Sequence, residues 1–512
     1  MSARRRWVSL AVLVLPVLLI SIDMTVLGIA VPALSDHLRP SSAELLWIID
    51  LYSFVLAGLL VLMGSLGDRI GRRRLLVTGS IAFGIASVLA AFSTSSEMLI
   101  LARGLLGLGG ATLMPSTLAL IRSIFTDPTQ RRTAIAVWAA AFSGGAAIGP
   151  VIGGFLLEHF WWGSVFLMNT PVMILLVIGA LLFIPESKDP NPGPFDPLSA
   201  LMSIAGILPI VYAIKTAAKH PDLTALIALV IGVVILALFI RRQRQLPSPM
   251  IDLGLFTHRA FTVAVLVNLI TVFAMAGEMF FLPQHLMLVL GKTPFEAGLW
   301  MVPLAAVTFA GALLSPRLAR YLPIHTVVAL GLGLTAAGFL LATQLSGGPS
   351  DLPIFVVSGV LMGLGVGLGE TLTNDVILEV APPERAGAAS AISETGYEFG
   401  GAMGTAVLGS IGLAVYGAHL TTVPGASDSA LTSARESLGE AHGVATSLSS
   451  QAGEHLTQVA NSAFVQGLDV VMLCGAILSA GGALMAYTLM RQSAPAARDG
   501  AGDAHREAVK QG

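Results

Sequence analysis

The sequence predicts an all-α membrane protein: fourteen transmembrane helices, arranged as two six-helix bundles with two helices inserted between them. Three observations lead there. First, 55% of the 512 residues are hydrophobic and only 11% are charged, with a mean hydropathy of +0.82. A soluble chain carries about 25% charged residues. Second, the apolar residues come in unbroken runs such as WVSLAVLVLPVLLISI and LLVTGSIAFGIASVLAAF. A helix of about 20 residues crosses a bilayer, whereas a membrane β-barrel needs short alternating segments. Third, GLGGATLMPSTLALI (107–121) and GLGVGLGETLTNDVI (363–377) align without a gap. The same register carries Gly144, Gly145 and Ala146 onto Gly400, Gly401 and Ala402. One offset thus relates spans 4 and 5 to spans 12 and 13, as two parallel halves with a site at the midplane would require.

The first-half spans lie at about 8–32, 44–65, 75–93, 97–121, 133–157 and 164–184. The inserted pair lies at about 198–217 and 222–240. The second-half spans lie at about 260–282, 297–315, 325–344, 353–376, 388–416 and 467–490. The expected units are 1–186, 187–259 and 260–490, with a tail from 491 to 512 whose polar composition reads as disordered. Residues 417–466 form one long loop, with apolar residues spaced for two short helices packed as a hairpin. Arg4–Arg6 precede the first span as they would in a signal peptide, but the apolar run passes residue 30 without a clear cleavage site and reads as a spanning helix. With the N-terminus inside, 22 of the 28 Lys and Arg fall on the cytoplasmic side. The positive-inside rule therefore places both termini in the cytoplasm. The single Cys474 excludes an internal disulfide and a cysteine metal site, and the ten histidines show no ligand spacing.

Charge inside a membrane is expensive, so each ionisable residue in a span is a functional candidate. At 1.5 Å per residue, Asp23 lies about 13 Å, Asp50 about 9 Å and Arg103 about 9 Å below the outer edge. This predicts one cluster of two carboxylates and one guanidinium; the plainer reading is a salt bridge that pins helices. Glu394 and Glu398 lie one turn apart on span 13, with no basic partner evident. Such a pair shares protons or binds a cation. Tyr397 between them could add cation–π attraction or simply pack. Glu370 on span 12 could face a cavity. Glu278 falls near the outer end of span 9 and reads as wet, and Asp375 as a helix-end charge. The 18 Met read mostly as core filler.

Four motifs carry a family resemblance. GSLGDRIGRRRLL (64–76) resembles the signature between spans 2 and 3 of the major facilitator superfamily, and LARGLLGLGGA (101–111) resembles its span-4 motif, Arg103 included. SGGAAIGPVIGG (143–154) resembles the span-5 antiporter motif, and LLISIDMTVLGIAVPAL (18–34) the span-1 motif of the fourteen-helix drug:proton antiporters. ELLWIIDLYSFVLAG (44–58) and LLEHFWWGSVFLMNTP (156–171) are similar to the QacA/SmvA-like branch that exports quaternary ammonium and biguanide cations. The resemblance implies the major facilitator fold and efflux of lipophilic mono- and dications in exchange for protons. It implies no cofactor beyond the proton motive force. The setting implied is the bacterial cytoplasmic (inner) membrane, with membrane lipid, protons and cationic small molecules as partners, no nucleic acid, and a monomer. By similarity, Asp23 and Arg103 serve proton coupling, while Asp50, Glu394 and Glu398 recognise substrate or protons. Ser393 stands where the branch often has an acid, and Glu398 where it has Asp.

Elementary chemistry supports parts of this. Asp68 beside Arg69 and Arg72 can form a charge network that latches the cytoplasmic ends. Gly145, Gly149, Gly153 and Gly154 allow close helix contact, and Pro150 disturbs backbone bonding. An enzyme is not expected, since neither clustered metal ligands nor a paired Asp motif is present, and the tails are too short for the soluble domain of a sensor. The second function compatible with this fold is export of a metabolite or lipid.

Overall fold

The computed structural model describes residues 2–189, 195–219, 222–247, 249–251, 253–348, 350–380 and 386–491. Most of the tail expected to be disordered, 492–512, lies outside them. The first half comprises α1 (Ala3–Leu38), α2 (Ser42–Ile70), α3 (Arg72–Ala91), α4 (Ser96–Ile124), α5 (Pro128–His159), α6 (Ser164–Leu167) and α7 (Asn169–Phe183). α6 and α7 form one span interrupted at Met168. The inserted pair is α8 (Pro197–Lys219) and α9 (Leu223–Gln245). The second half holds α10 (Arg259–Gln284), α11 (Pro294–Leu318), α12 (Ile324–Ala342), α13 (Asp351–Val380), α14 (Ala386–Gly404) and α15 (Ser410–His419), then α16 (Asp428–Ala434), α17 (Leu438–Ser447) and α18 (Ser450–Met485). A π-helical turn at Thr405–Gly409 joins α14 to α15, and another at His285–Val289 extends α10. Among the described residues, fourteen segments are long and apolar enough to span a bilayer.

Lipid offers no hydrogen bonds, so each span must satisfy its own backbone, and the helix ends show how. A capping box of Ser41 and Glu44 starts α2, and one of Thr293 and Glu296 starts α11. Ser95 caps α4 and Asp127 caps α5. These side-chain oxygens take up N–H groups that lack a partner in the first helical turn.

The packing repeats between the halves. α1 packs on α5 and α7, α2 on α4, and α3 on α4 and α7. Correspondingly, α10 packs on α14 and α18, α11 on α13, and α12 on α13 and α18. Across the halves, α5 meets α11, α2 meets α14, and α1 meets α10. These are pairs that an approximate two-fold axis exchanges. Close approaches between halves lie toward the end that carries α16 and α17: Gly28 against Met279 and Pro283, Gly298 against the Pro150 backbone, and Gly409 against Leu46. Within the first half, a Cβ on Gly145 would stand 2.6 Å from the Leu18 carbonyl oxygen, and one on Gly149 would collide with Thr25. The span-5 glycines therefore seat α5 directly on the α1 backbone.

Residues 450–466, expected within the outer loop, belong instead to α18. The helix continues past its apolar run because Leu456, Ala460, Ala463 and Phe464 bury an amphipathic stripe, and α18 packs on α17. Glu436 receives hydrogen bonds from the Ser42 N–H at 2.8 Å and hydroxyl at 2.9 Å. A cavity of about 280 Å³ beside it is lined by Asp36, Arg39, Glu436 and Glu440. Burial, aided by Asp36 and Glu436 and opposed by Arg39, pushes the Glu440 carboxyl up.

Candidate functional site

The expected cluster of Asp23, Asp50 and Arg103 divides into two separate ion pairs. Arg103 Nη1–H donates to Asp23 Oδ2 at 2.8 Å. Its Nε–H donates to the Ile48 carbonyl at 2.9 Å, and Nη2–H to the Ile49 carbonyl at 3.4 Å. The guanidinium lies 4.6 Å above the Tyr52 ring and 5.9 Å from that of Phe166. The second oxygen of Asp23 accepts from Asn169 Nδ2–H at 3.3 Å. Arg103 and Asp23 are 2% and 1% exposed, so this planar fork is desolvated yet well supplied with acceptors. A buried charge pair needs that supply to offset its desolvation. Asn169 and Phe166 escaped the sequence reading because an uncharged residue in an apolar run carries no depth signal.

Asp50 does not share this arginine. Its Oδ2 lies 3.0 Å from Lys215 Nζ, and both side chains are 1% exposed. Lys215 sits near the end of α8, where an edge drawn at residue 217 leaves it reading as an outside charge. The helix instead lies against α2 and brings the lysine inward. The ammonium stands 4.1 Å from the centre of the Trp47 ring. An inserted helix thus supplies the counter-charge for a first-half carboxylate.

Span 13 is different. Glu398 on α14 is 3% exposed, and its Oε2 has no hydrogen-bond partner. Across the halves it meets Ser53 of α2, and it feels the charge of Glu394 on its own helix. Glu394, Tyr397 and Glu370 are half-buried. Tyr397 lies within electrostatic reach of Glu370 and Glu398, and its ring meets Phe142 of α5 edge-on at 6.4 Å. Among the described residues, no cationic side chain pairs with Glu394, Glu398 or Glu370. Tyr52, whose hydroxyl has no hydrogen-bond partner, is electrostatically close to Asp23, Arg103 and Glu398 together. Tyr52 and its neighbour Ser53 on α2 therefore face the buried charges of both halves.

One further reading changes. Glu278 is not wet: it is 1% exposed, and neither carboxylate oxygen has a partner. The span runs on to Val289, which leaves Glu278 three turns below the helix end. Just beyond it, buried His285 approaches Asp351 at 2.8 Å. At the opposite end of the bundle, Asp68 pairs with Arg72 at 2.8 Å, and Arg69 stacks 5.8 Å from Phe195. The segment after the sixth span holds this loop: Arg72 N–H donates to the Ser187 carbonyl at 2.9 Å, and Arg73 N–H to Glu186 at 3.0 Å. Gly71 makes the turn at φ +113°, where a Cβ would meet the Glu186 carboxylate. The anchor Glu186 was not among the expected residues.

The model of the Major Facilitator Superfamily matches residues 13–405. The multidrug efflux pump LfrA of Mycolicibacterium smegmatis is 47% identical over 477 residues, 93% of this chain and 94% of that protein. The methyl viologen resistance protein SmvA of Salmonella typhimurium is 38% identical over 475 residues, 91% of this chain and 95% of that one. Among solved structures, a bacterial homologue of the human lysosomal transporter Spinster, inward-facing and unoccupied, superposes with a TM-score of 0.67 at 18% identity. That match covers 97% of this chain and 100% of that one, and it speaks to the fold alone. The chain belongs to the Major Facilitator Superfamily: it is a multi-pass membrane transport protein and not an enzyme.

Proposed function

We propose that this protein is a proton-coupled exporter of lipophilic organic mono- and dications, working by alternating access in the bacterial inner membrane with both termini in the cytoplasm. The observation that carries this reading is the unpaired acid set of span 13. Glu398 sits where the second half faces the first, beside Ser53 of α2, and among the described residues no cationic side chain pairs with it or with Glu394. A carboxylate in such a place must be neutralised, by a proton or by a cationic cargo. If the two take turns, their fluxes are coupled. The aromatic rings of Tyr397 and Phe142 offer a face for a flat or quaternary cation. The names of LfrA and SmvA, one a multidrug pump and the other a methyl viologen resistance protein, support the same class of cargo.

In this scheme the Asp23–Arg103 pair is a fixed anchor. Its acceptors are in place, and it sets the field felt by Tyr52 and, through that ring, Glu398. Protons enter from the outside, neutralise the span-13 acids and release the cation there. With the termini inside, the end closed between Gly28 and Met279 and between Pro150 and Gly298 faces outward. The Asp68–Arg72 loop is the cytoplasmic latch of this scheme. Export of an anionic metabolite is disfavoured by carboxylates at Glu370, Glu394 and Glu398 that pair with no cationic side chain among the described residues. In everted vesicles energised with a respiratory substrate, ethidium is expected to accumulate and fluorescein is not. Uptake of the anion in place of the cation would reverse the assignment.

A further inference from the structure

We propose that Lys215 is a built-in cation: it occupies a subsite for the positive group of the cargo on Asp50 and Trp47, and an exported cation displaces it. This rests on the export reading above and adds a binding site that the span-13 acids do not provide. The seat has two walls. Asp50 contributes a carboxylate 3.0 Å from Nζ, and Trp47, one turn earlier on α2, contributes an indole face 4.1 Å from it. A carboxylate opposite an aromatic face is the general recognition chemistry for an alkylated ammonium.

The pair is built for exchange more than for anchoring. Beyond their mutual 3.0 Å contact, neither Asp50 oxygen nor Lys215 Nζ has a hydrogen-bond partner. The ammonium has three donors and a single ionic contact. The Asp23–Arg103 pair, buried to the same extent, shows what a satisfied clamp looks like here: the arginine bonds one carboxylate and two carbonyls. Lysine is also a compact charge on a flexible four-carbon stem, able to swing where a guanidinium fork cannot. The other charged group within reach of Asp50 is Arg103, which is already engaged.

The position of α8 makes the exchange consequential. This helix belongs to neither six-helix bundle, yet it packs along α2 and touches α15. Val211 of α8 shares a buried cluster with Phe54 of α2 and with Ala402 and Ala406 of span 13. Lys215 thus reaches Asp50 at a seam between the halves. When cargo leaves, the lysine returns, and Asp50 is never left bare in an apolar interior. A positive charge stays on Asp50 through the cycle, first from the protein, then from the cargo.

Competition predicts a specific pattern of binding. Removing an internal occupant raises apparent affinity, because the competent seat is no longer only fractionally free. Ethidium affinity is read by fluorescence anisotropy with the full-length protein in nanodiscs. Lys215→Met, and Lys215→Gln as a second neutral variant, are expected to bind roughly tenfold tighter than the parent. The gain is expected to vanish in the Asp50→Asn background, since the competition passes through that carboxylate. Ethidium should also raise the melting temperature of the lysine variants by more than that of the parent. A folded Lys215 variant with unchanged affinity, or the same gain in both backgrounds, would overturn the proposal and leave Lys215 a structural clamp. A parent protein that binds no ethidium at all would instead remove the export reading itself.

Discussion

Arg103→Ala is expected to be the most damaging single substitution in this protein, abolishing ethidium export and lowering stability by about 3–5 kcal/mol. The magnitude follows from what the side chain leaves behind. Asp23 would remain buried with only Asn169 as a partner, and the Ile48 and Ile49 carbonyls would lose the extra hydrogen bonds that orient α2. Arg103→Lys is expected to recover part of the stability but little of the transport. An ammonium can meet Asp23, but it cannot span the carboxylate and both carbonyls as a planar fork does. Melting of the purified variants in one detergent checks the first effect, and dye efflux from cells lacking other pumps checks the second. If Arg103→Ala melts with the parent, the anchor role assigned to this pair is wrong.

The second large effect is expected at Glu398, with the opposite balance between stability and function. Glu398→Gln removes an ionisable group that has no counter-charge, so the variant should be at least as heat-stable as the parent. Export driven by a pH gradient should nonetheless fall to the level of empty liposomes, because an amide can neither take up a proton nor neutralise a cation. Glu394→Gln should weaken transport less, since Glu394 is half-buried and keeps more contact with water than Glu398. Lost stability with unimpaired transport in Glu398→Gln would place this residue among structural groups. The contrast with Arg103 is diagnostic: breaking a satisfied buried pair strands a charge and costs stability, whereas removing an unsatisfied charge relieves a cost the fold carries for its chemistry.

Much of the architecture was legible because membrane helices write themselves as long apolar runs, and fourteen were read from such runs. The repeat between 107–121 and 363–377 foreshadowed the matching packing of α4 and α13. The acids of the site were legible for a related reason, as charges inside apolar runs stand out. Their partners were not. Lys215 lies near the end of a span, where a lysine ordinarily meets water, and only the lie of α8 against α2 turns it inward. Asn169, Ser53 and Tyr52 are polar without charge, and nothing in a linear pattern assigns them to Asp23 or Glu398. Glu278 was misplaced because its span ends later than the hydropathy suggested. Residues 450–466 were misread because a helix can continue beyond the bilayer on an amphipathic stripe, with no unbroken apolar run to mark it.

The dependence of cation export on protons is tested most directly by following both fluxes at once. Purified protein in liposomes with an acidic lumen should drive ethidium inward while protons leave, and dissipating the gradient should stop both. Combining Glu394→Gln with Glu398→Gln should abolish the two fluxes together. Ethidium movement at the parent rate in that double variant, or movement unaccompanied by protons, would contradict the exchange of cargo and proton on the span-13 carboxylates.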